Sequence, residues 1–238
     1  MNDQRDLLST VGHPARRSRE TSELLYRSGA LTFGDFVAKS GRQTPYFINT
    51  GNVGDAAALA RLGQLYADAI VEVFSDAVDV LFGPAYKGIA LSVATGLALA
   101  QHHDQHVGVA YDRKESKDHG EGGSLIGHRF VDGDRVVIVE DVTTAGTSIR
   151  ASIPKLEAAA NVEVVGLVVG VDRQEHGEDK DRSALEQIGA RFGLTTVALT
   201  RITDIVEHLG AATIDGRRVI TDEDLARIDA YRHRYGAG

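Results

Sequence analysis

The segment 136–148, VVIVEDVTTAGTS, constrains the fold of this chain more than any other. Its first four residues are β-branched, which is typical of a strand buried in a parallel sheet. Glu140 and Asp141 end that strand, and a turn of small and hydroxyl residues leads into a helical pattern. Backbone N–H groups at such a helix start bind phosphate, and the acids can bind sugar hydroxyls or a metal ion. Neighbours on a strand point to opposite faces, so at most one acid faces a ligand unless the backbone turns. The segment predicts a site for a phosphorylated sugar.

The first third of the chain has a less regular pattern. Residues 1–18 are polar and rich in arginine, which predicts a loose N-terminal extension. A short helix is expected over 20–28. Alternating residues over 31–50, interrupted by Gly, Pro and Asn, predict two short strands. Helical spacing then predicts a longer helix with Asp55 as its N-cap.

From residue 78 onward, predicted strands and helices alternate, which favours a parallel sheet covered by helices on both faces. A length of 238 residues suits a single domain, expected over 19–238. The segment 136–148 lacks the lysine of a Walker loop and the glycine spacing of a dinucleotide-binding fold. The expected fold class is therefore α/β, without either of those nucleotide-binding motifs.

Several predicted strands end in charged or glycine-rich sequence, and ligands bind at the carboxyl ends of strands in such sheets. The strand over 78–84 leads into Lys87, whose charge is unfavourable at a helix start unless an anion is bound. Arg173 follows a long apolar strand, where its guanidinium can bind a ligand carboxylate or pair with Asp172 or Glu175. These residues are candidates for one shared site.

The loop over 112–127 carries several cationic side chains, followed by Gly120, Gly122 and Gly123, within a short polar stretch. Such a segment can close over a polyanion and exclude water. The alternative is an ordinary solvated surface loop, which charged stretches usually are. A phosphate-type turn on a neighbouring strand favours the first interpretation. The candidate residues are Arg113, Lys114, Lys117 and His119.

Composition excludes several classes of function. Lys and Arg number 26 against 34 Asp and Glu, so the net charge is −8 and no overall basic field attracts nucleic acid. The absence of cysteine excludes disulfides, thiolate metal sites and cysteine nucleophiles. No apolar run reaches the length of a membrane span, and the N-terminus lacks a signal-peptide core. A cytoplasmic protein without a membrane or nucleic-acid partner is expected.

The motifs resemble those of type I phosphoribosyltransferases, and among them the orotate phosphoribosyltransferase family. VVIVEDVTTAGTS resembles the phosphoribosyl pyrophosphate signature, while FGPAYKGI and RKESKDHGEGGSLIG resemble segments particular to the orotate enzymes. KSGRQTPYFINTG and VDRQEHG are similar to the family's orotate-binding segments. The resemblance covers about residues 20–210. It implies a central, mostly parallel sheet flanked by helices, with a small hood formed mainly by residues 19–54.

The resemblance also implies a reaction. Orotate and phosphoribosyl pyrophosphate would give orotidine 5′-monophosphate and pyrophosphate, with Mg²⁺ held mainly through the substrate pyrophosphate and ribose. A homodimer is implied, with the loop over 112–127 shared between subunits. Lys117, His119 and Asp141 would be catalytic, Lys117 or His119 as the proton donor to the leaving group. Orotate would be bound by Lys39, Phe47, Ile48, Thr144 and Arg173.

The implied roles divide the sugar-phosphate site into parts. The two acids would hold the ribose hydroxyls, and the turn after them would cradle the 5-phosphate. Tyr86 and Lys87 would contact the pyrophosphate, under the cationic loop. The implied ligands of phosphoribosyl pyrophosphate are Tyr86, Lys87, Arg113, Lys114, Lys117, His119, Glu140, Asp141, Val142, Thr143, Thr144, Ala145, Gly146, Thr147 and Ser148.

Two alternatives remain open on the sequence. Another nucleobase phosphoribosyltransferase would share the signature, but it would not need Lys39 and Arg173 to converge on a substrate carboxylate. A regulator that senses phosphoribosyl pyrophosphate on the same fold would favour a basic patch or an added helix-turn-helix, and the sequence has neither.

Overall fold

The computed structural model describes residues 14–38, 41–113, 124–142 and 146–237. Helices and strands alternate through most of this range, as the sequence pattern predicts. The helices are α1 (Pro14–Arg27), α2 (Ala56–Phe74), α3 (Lys87–His102), α4 (Thr147–Ala159), α5 (Ala184–Phe192), α6 (Ile202–Gly210) and α7 (Asp222–Tyr235). The strands are β1 (Leu31–Val37), β2 (Gln43–Ile48), β3 (Val80–Gly83), β4 (Gly108–Asp112), β5 (Leu125–Gly127), β6 (Arg135–Val142), β7 (Glu163–Asp172), β8 (Thr195–Arg201), β9 (Thr213–Ile214) and β10 (Arg217–Arg218).

The central sheet has six strands in the order β5-β4-β3-β6-β7-β8. All neighbouring pairs are parallel except β4 and β5, which are antiparallel. The expected α/β class with a mostly parallel sheet is confirmed. The sequence analysis missed β5, because three residues at the end of a polar loop carry no periodic signal. The carboxyl ends of β3, β4, β6 and β7 lie at one edge of the sheet, as predicted.

Alternation along β6 explains how the sheet is covered on both faces. Val137 and Val139 belong to one buried cluster, with side chains of α1, α2, α3 and α6. Val136 and Ile138 belong to the other, with side chains of α4 and α5. All four valine and isoleucine side chains are fully buried. A strand of apolar residues on both faces is therefore stable only between two helical layers, which fixes β6 in the middle of the sheet.

An antiparallel hairpin of β1 and β2 stands apart from the central sheet, with Leu31 opposite Ile48. The two predicted strands are confirmed, whereas Lys39 and Ser40 at their turn lie outside the described residues. The hairpin contacts α7, where the rings of Tyr46 and Tyr231 meet edge to face at 5.8 Å between centroids. A hood over residues 19–54 stays a prediction.

Helix α1 begins at Pro14, so the prediction of a loose extension through residue 18 was wrong for residues 14–18. Arg17 and Ser18 are buried: the Arg17 guanidinium pairs with Glu72 at 2.5 Å, and the Ser18 hydroxyl contacts the Thr200 hydroxyl at 2.7 Å. The buried face of this helix is largely polar, so a hydrophobic pattern could not reveal it. Among the described residues, none of the helices combines the length and the apolar character that crossing a membrane requires.

Gly83 ends β3 and allows α3 to approach the strand closely. A Cβ atom there would lie 2.0 Å from the carbonyl oxygen of Gly88 and 2.4 Å from the hydroxyl oxygen of Ser92. We expect Gly83→Ala to lower the free energy of unfolding by about 1–3 kcal/mol, the usual cost of overpacking. Urea unfolding would measure it. Gly54→Ala is the control, because a Cβ there first meets an atom at 3.7 Å. Equal midpoints for the two variants would contradict the prediction.

Candidate active site

A cavity of about 860 Å³ opens at the carboxyl edge of the central sheet. Its walls come from the hairpin, the start of α3, the end of β6, the start of α4, the segment after β7 and helices α5 and α7. Residues far apart in the chain are thus brought to one site. Of the residues predicted to bind ligands, those that line the cavity are Phe47, Ile48, Lys87, Glu140, Asp141, Val142, Ser148 and Arg173.

Glu140 and Asp141 both line the cavity, although they are neighbours on β6. The two carboxyl groups are almost completely buried, at 7% and 6% exposure. The backbone N–H of Asp141 donates to Glu140 Oε1 at 3.1 Å, and the Tyr66 hydroxyl donates to the Glu140 carbonyl at 2.8 Å. These bonds hold two carboxylates side by side at the strand end, where a diol or a substrate-bound cation can meet both.

Lys87 supplies the positive charge opposite these acids. Its ammonium lies 2.6 Å from Asp141 Oδ2, in an ion pair that spans 54 positions of sequence. The Thr50 hydroxyl donates to the same carboxylate oxygen at 3.4 Å. A lysine in the first turn of α3 is unfavourable by dipole alone, and the Asp141 carboxylate is the anion that offsets this. The Lys87 side chain is 42% exposed and lines the cavity, so it can meet a ligand there.

Burial, together with the neighbouring Asp141 carboxylate, raises the pKa of Glu140 to about 7. The Ser148 hydroxyl, at the start of α4, opposes this rise by hydrogen bonding to the carboxylate. Two neighbouring buried carboxyl groups resist carrying two negative charges unless a cation lies beside them. The pair is therefore suited to a ligand that brings positive charge or hydroxyl donors.

The pKa of Glu140 predicts a pH-dependent stability. A raised pKa means that the folded state favours the protonated form, so this contribution is present below pH 4.5 and is lost as the pH rises toward 7. The loss amounts to about 3 kcal/mol at most, from 1.36 kcal/mol per pKa unit. We expect Glu140→Gln to abolish this decline. Urea unfolding of both proteins from pH 4.5 to 8 would measure it, and parallel profiles would contradict the assignment.

Arg173 lies just beyond the end of β7, the parallel neighbour of β6, and lines the same cavity as the two acids. Its Nη2 atom is 2.5 Å from Glu175 Oε1 and 3.4 Å from the Thr44 hydroxyl, and its guanidinium lies over the Tyr46 ring at 5.1 Å. Its buried Nε–H has no acceptor among the described residues. Because Arg173 lines the cavity and its guanidinium has more donors than Glu175 and Thr44 use, it can also donate to an anionic ligand.

Apolar side chains of β2 form the wall beside Arg173. Ile48 is buried, whereas Phe47 is 43% exposed and packs against Phe36 at 5.6 Å between ring centroids. An exposed aromatic ring beside a guanidinium can bind the face of a planar anionic ring.

Comparison with known proteins agrees with this geometry. A sequence model of the phosphoribosyl transferase domain matches residues 49–191. The orotate phosphoribosyltransferase of Clostridium beijerinckii is 51% identical over 219 residues, covering 92% of this chain and 97% of that protein. The chain belongs to the orotate phosphoribosyltransferase family.

Solved structures of the family share the fold. The orotate phosphoribosyltransferase of Francisella tularensis has a TM-score of 0.74 and 34% identity, over 90% of this chain and 98% of that one. The Mycobacterium tuberculosis enzyme in complex with 5-phospho-alpha-D-ribosyl 1-diphosphate has a TM-score of 0.58 at 22% identity, over 79% and 98% of the two chains, and supports the fold alone.

Other ligand residues implied by the family resemblance stay predictions. Tyr86 is 63% exposed and does not line the cavity, nor do Arg113, Gly146 and Thr147. The backbone N–H of Arg113 donates to the Ser124 carbonyl at 2.8 Å, which joins the two ends of the cationic loop. The following predicted residues lie outside the described part of the chain: Lys39, Lys114, Lys117, His119, Thr143, Thr144 and Ala145.

The sequence analysis missed an ion pair behind the turn that connects β3 to α3. Asp112, the last residue of β4, is buried and accepts a hydrogen bond from the Ala85 N–H at 2.7 Å. Its other oxygen pairs with Lys155 of α4. The scarcity of lysine was the available signal: Lys155 is one of six lysines in a chain with twenty arginines. The pair fixes the turn that leads into Lys87.

Proposed function

We propose that this cavity transfers the 5-phosphoribosyl group from phosphoribosyl pyrophosphate to orotate, releasing pyrophosphate. One observation carries the proposal: a single cavity is lined by a buried acid pair at a strand end and by an arginine just beyond the neighbouring strand. The first suits a ribose phosphate, and the second suits a base that carries a carboxylate. Membership of the family supports the same pairing of substrates.

The sugar part of the site would work by charge. Glu140 and Asp141 accept hydrogen bonds from the ribose hydroxyls. The 5-phosphate binds at the N-terminal turn of α4, formed by Gly146, Thr147 and Ser148. As pyrophosphate departs, C1 of the ribose becomes cationic, and the neighbouring carboxylates stabilise it. Lys87 stabilises the charge that gathers on the departing pyrophosphate. Within the Lys87–Asp141 pair, the carboxylate would thus stabilise the cationic ribose, and the ammonium would stabilise the departing pyrophosphate.

The base part of the site would orient orotate. Arg173 binds its carboxylate, and Phe47 and Ile48 contact its ring. Orotate is already an anion, so its ring nitrogen attacks C1 without a strong base. Lys39 and Thr144 complete this part of the site in the proposal.

Mg²⁺ is proposed as the cofactor, and the residues fit it as a substrate-borne ion. Among the described residues no group of three or more His, Cys, Asp or Glu side chains forms a dedicated metal site. Mg²⁺ typically takes one or two carboxylates, substrate phosphates and waters, and Glu140 and Asp141 supply that many carboxylates. When bound, the ion neutralises charge on the pyrophosphate.

The cationic loop and a second subunit complete the proposal. Arg113, Lys114, Lys117 and His119 would cover the pyrophosphate, and Lys117 or His119 would protonate it as it leaves. We propose a homodimer that shares the 112–127 loop. An exposed apolar stripe on α3 supports it, since Val93 and Leu97 are 40% and 58% exposed. Both substrates are anions, which do not diffuse freely across membranes, so we place the protein in the cytoplasm.

Orotate absorbance tests the proposed function directly. The purified protein is mixed with phosphoribosyl pyrophosphate, Mg²⁺ and orotate, and the loss of orotate is followed with time. We expect turnover with orotate and none with adenine or uracil at equal concentration. Turnover of another base without orotate would favour a different phosphoribosyltransferase. Binding of phosphoribosyl pyrophosphate without turnover of any base would favour a sensor.

A further inference from the structure

We propose that Tyr231 of helix α7 is a positioning residue for the base part of the site. It acts on Arg173 through Glu175 and keeps the Arg173 guanidinium available to a substrate carboxylate. The inference rests on the proposed role of Arg173 as the ligand of orotate. It adds a helix far along the chain to a site otherwise built from the hairpin and the carboxyl edge of the sheet.

Glu175 is the centre of this arrangement. Its Oε1 atom accepts hydrogen bonds from the Tyr231 hydroxyl at 2.8 Å and the Tyr46 hydroxyl at 3.4 Å, and lies 2.5 Å from Arg173 Nη2. Its Oε2 atom is 3.3 Å from Arg42 Nη1. These donors come from the hairpin, from helix α7 and from Arg173 beyond β7. The carboxylate therefore has one well-defined position, on the Nη2 side of Arg173.

The segment that carries Glu175 is itself held by the chain that follows α7. The N–H of Ala237 donates to the Gln174 carbonyl at 2.8 Å, and the N–H of His176 donates to the Tyr235 carbonyl at 3.0 Å. The Arg42 guanidinium lies over the Tyr235 ring at 4.2 Å from its centroid. Helix α7 thus fixes both the backbone and the side chain of the residue that contacts Arg173.

Charge explains why this position matters. Arg42 and Arg173 carry two positive charges against one negative charge on Glu175, which leaves room for one substrate carboxylate. Glu175 has the same functional group as that substrate and is already in contact with the same guanidinium. Without the Tyr231 hydroxyl, Glu175 can move along the Arg173 guanidinium that it already contacts at Nη2 and compete with the ligand. Tyr231 prevents this competition.

The test compares Tyr231→Phe with Tyr235→Phe. The first change removes the hydroxyl that donates to Glu175; the second removes a hydroxyl one turn further on that has no hydrogen bond among the described residues. We expect Tyr231→Phe to raise KM for orotate about tenfold, the equivalent of one hydrogen bond to a charged group. We expect kcat and KM for phosphoribosyl pyrophosphate to stay within about twofold, because the sugar part is untouched. Tyr235→Phe should match the wild type.

A second variant separates positioning from general destabilisation. In a Glu175→Gln background, Tyr231→Phe should raise KM for orotate no further, since its effect passes through the Glu175 carboxylate. Equal KM values for Tyr231→Phe and the wild type would overturn the inference while leaving the proposed function intact. So would additive effects in the double variant, or a rise in both KM values together. Absence of orotate turnover in the wild type would overturn the proposed function itself.

Discussion

Replacing Lys87 with methionine should lower kcat/KM for phosphoribosyl pyrophosphate by about 100- to 1000-fold, as expected for loss of one preorganised charge partner. The ammonium lies 2.6 Å from Asp141 Oδ2 and forms an ion pair with it. Its removal leaves the Asp141 carboxylate buried without its counter-charge and takes a cation from the pyrophosphate side. Steady-state kinetics with varied phosphoribosyl pyrophosphate would measure the effect.

Two further variants control this prediction. Lys180→Met removes an exposed lysine and should leave kcat/KM unchanged. Lys87→Arg keeps the charge but replaces a compact ammonium by a broad guanidinium, so it should restore only part of the loss. KM for orotate should change little in Lys87→Met, because the base part lies elsewhere in the cavity. Activity within about threefold of the wild type would remove Lys87 from the proposed mechanism.

Replacing Arg173 with alanine should reduce kcat/KM for orotate by about 1000-fold or more, as for sites built around one polar substrate group. The change removes the buried guanidinium and leaves Glu175 with fewer donors. The same variant should narrow the discrimination between orotate and uracil, which lacks the carboxylate. Competition of the two bases in one assay would measure both effects.

Arg173→Lys is the matched variant, since it keeps the charge and loses the planar fork. We expect its kcat/KM for orotate to lie between those of Arg173→Ala and the wild type. KM for phosphoribosyl pyrophosphate should remain close to that of the wild type in both variants. An unchanged preference for orotate over uracil in Arg173→Ala would show that another group recognises the carboxylate.

Much of the fold could be predicted because local pattern and tertiary structure agree. Strand β6 is apolar on both faces, and such a strand needs helices on both sides of its sheet. The acids at its end and the lysine after β3 follow from the rule that strand ends of a parallel sheet share an edge. Membership of the right family followed from the motifs at those strand ends.

The pairing of side chains could not be predicted, because it depends on contacts that sequence spacing does not encode. The sequence suggested an external anion for Lys87, but Asp141 supplies one from 54 positions away. It offered Glu175 as one partner of Arg173, and it gave no sign that Tyr231 holds that glutamate. The buried polar face of α1 was not predicted for the same reason, because its partners lie on α2 and β8.

Because the cavity is built from segments far apart in the chain, its parts are synthesised at different times. In the proposed site, the sugar part uses Lys87, the end of β6 and the start of α4, whereas the base part depends on Tyr231 of α7. Ribosomes add about 5–20 residues per second, so α7 emerges several seconds after α4. A nascent chain therefore passes through a stage at which the phosphate turn has been synthesised but orotate has no finished pocket, and its recognition is among the last properties that the growing protein acquires.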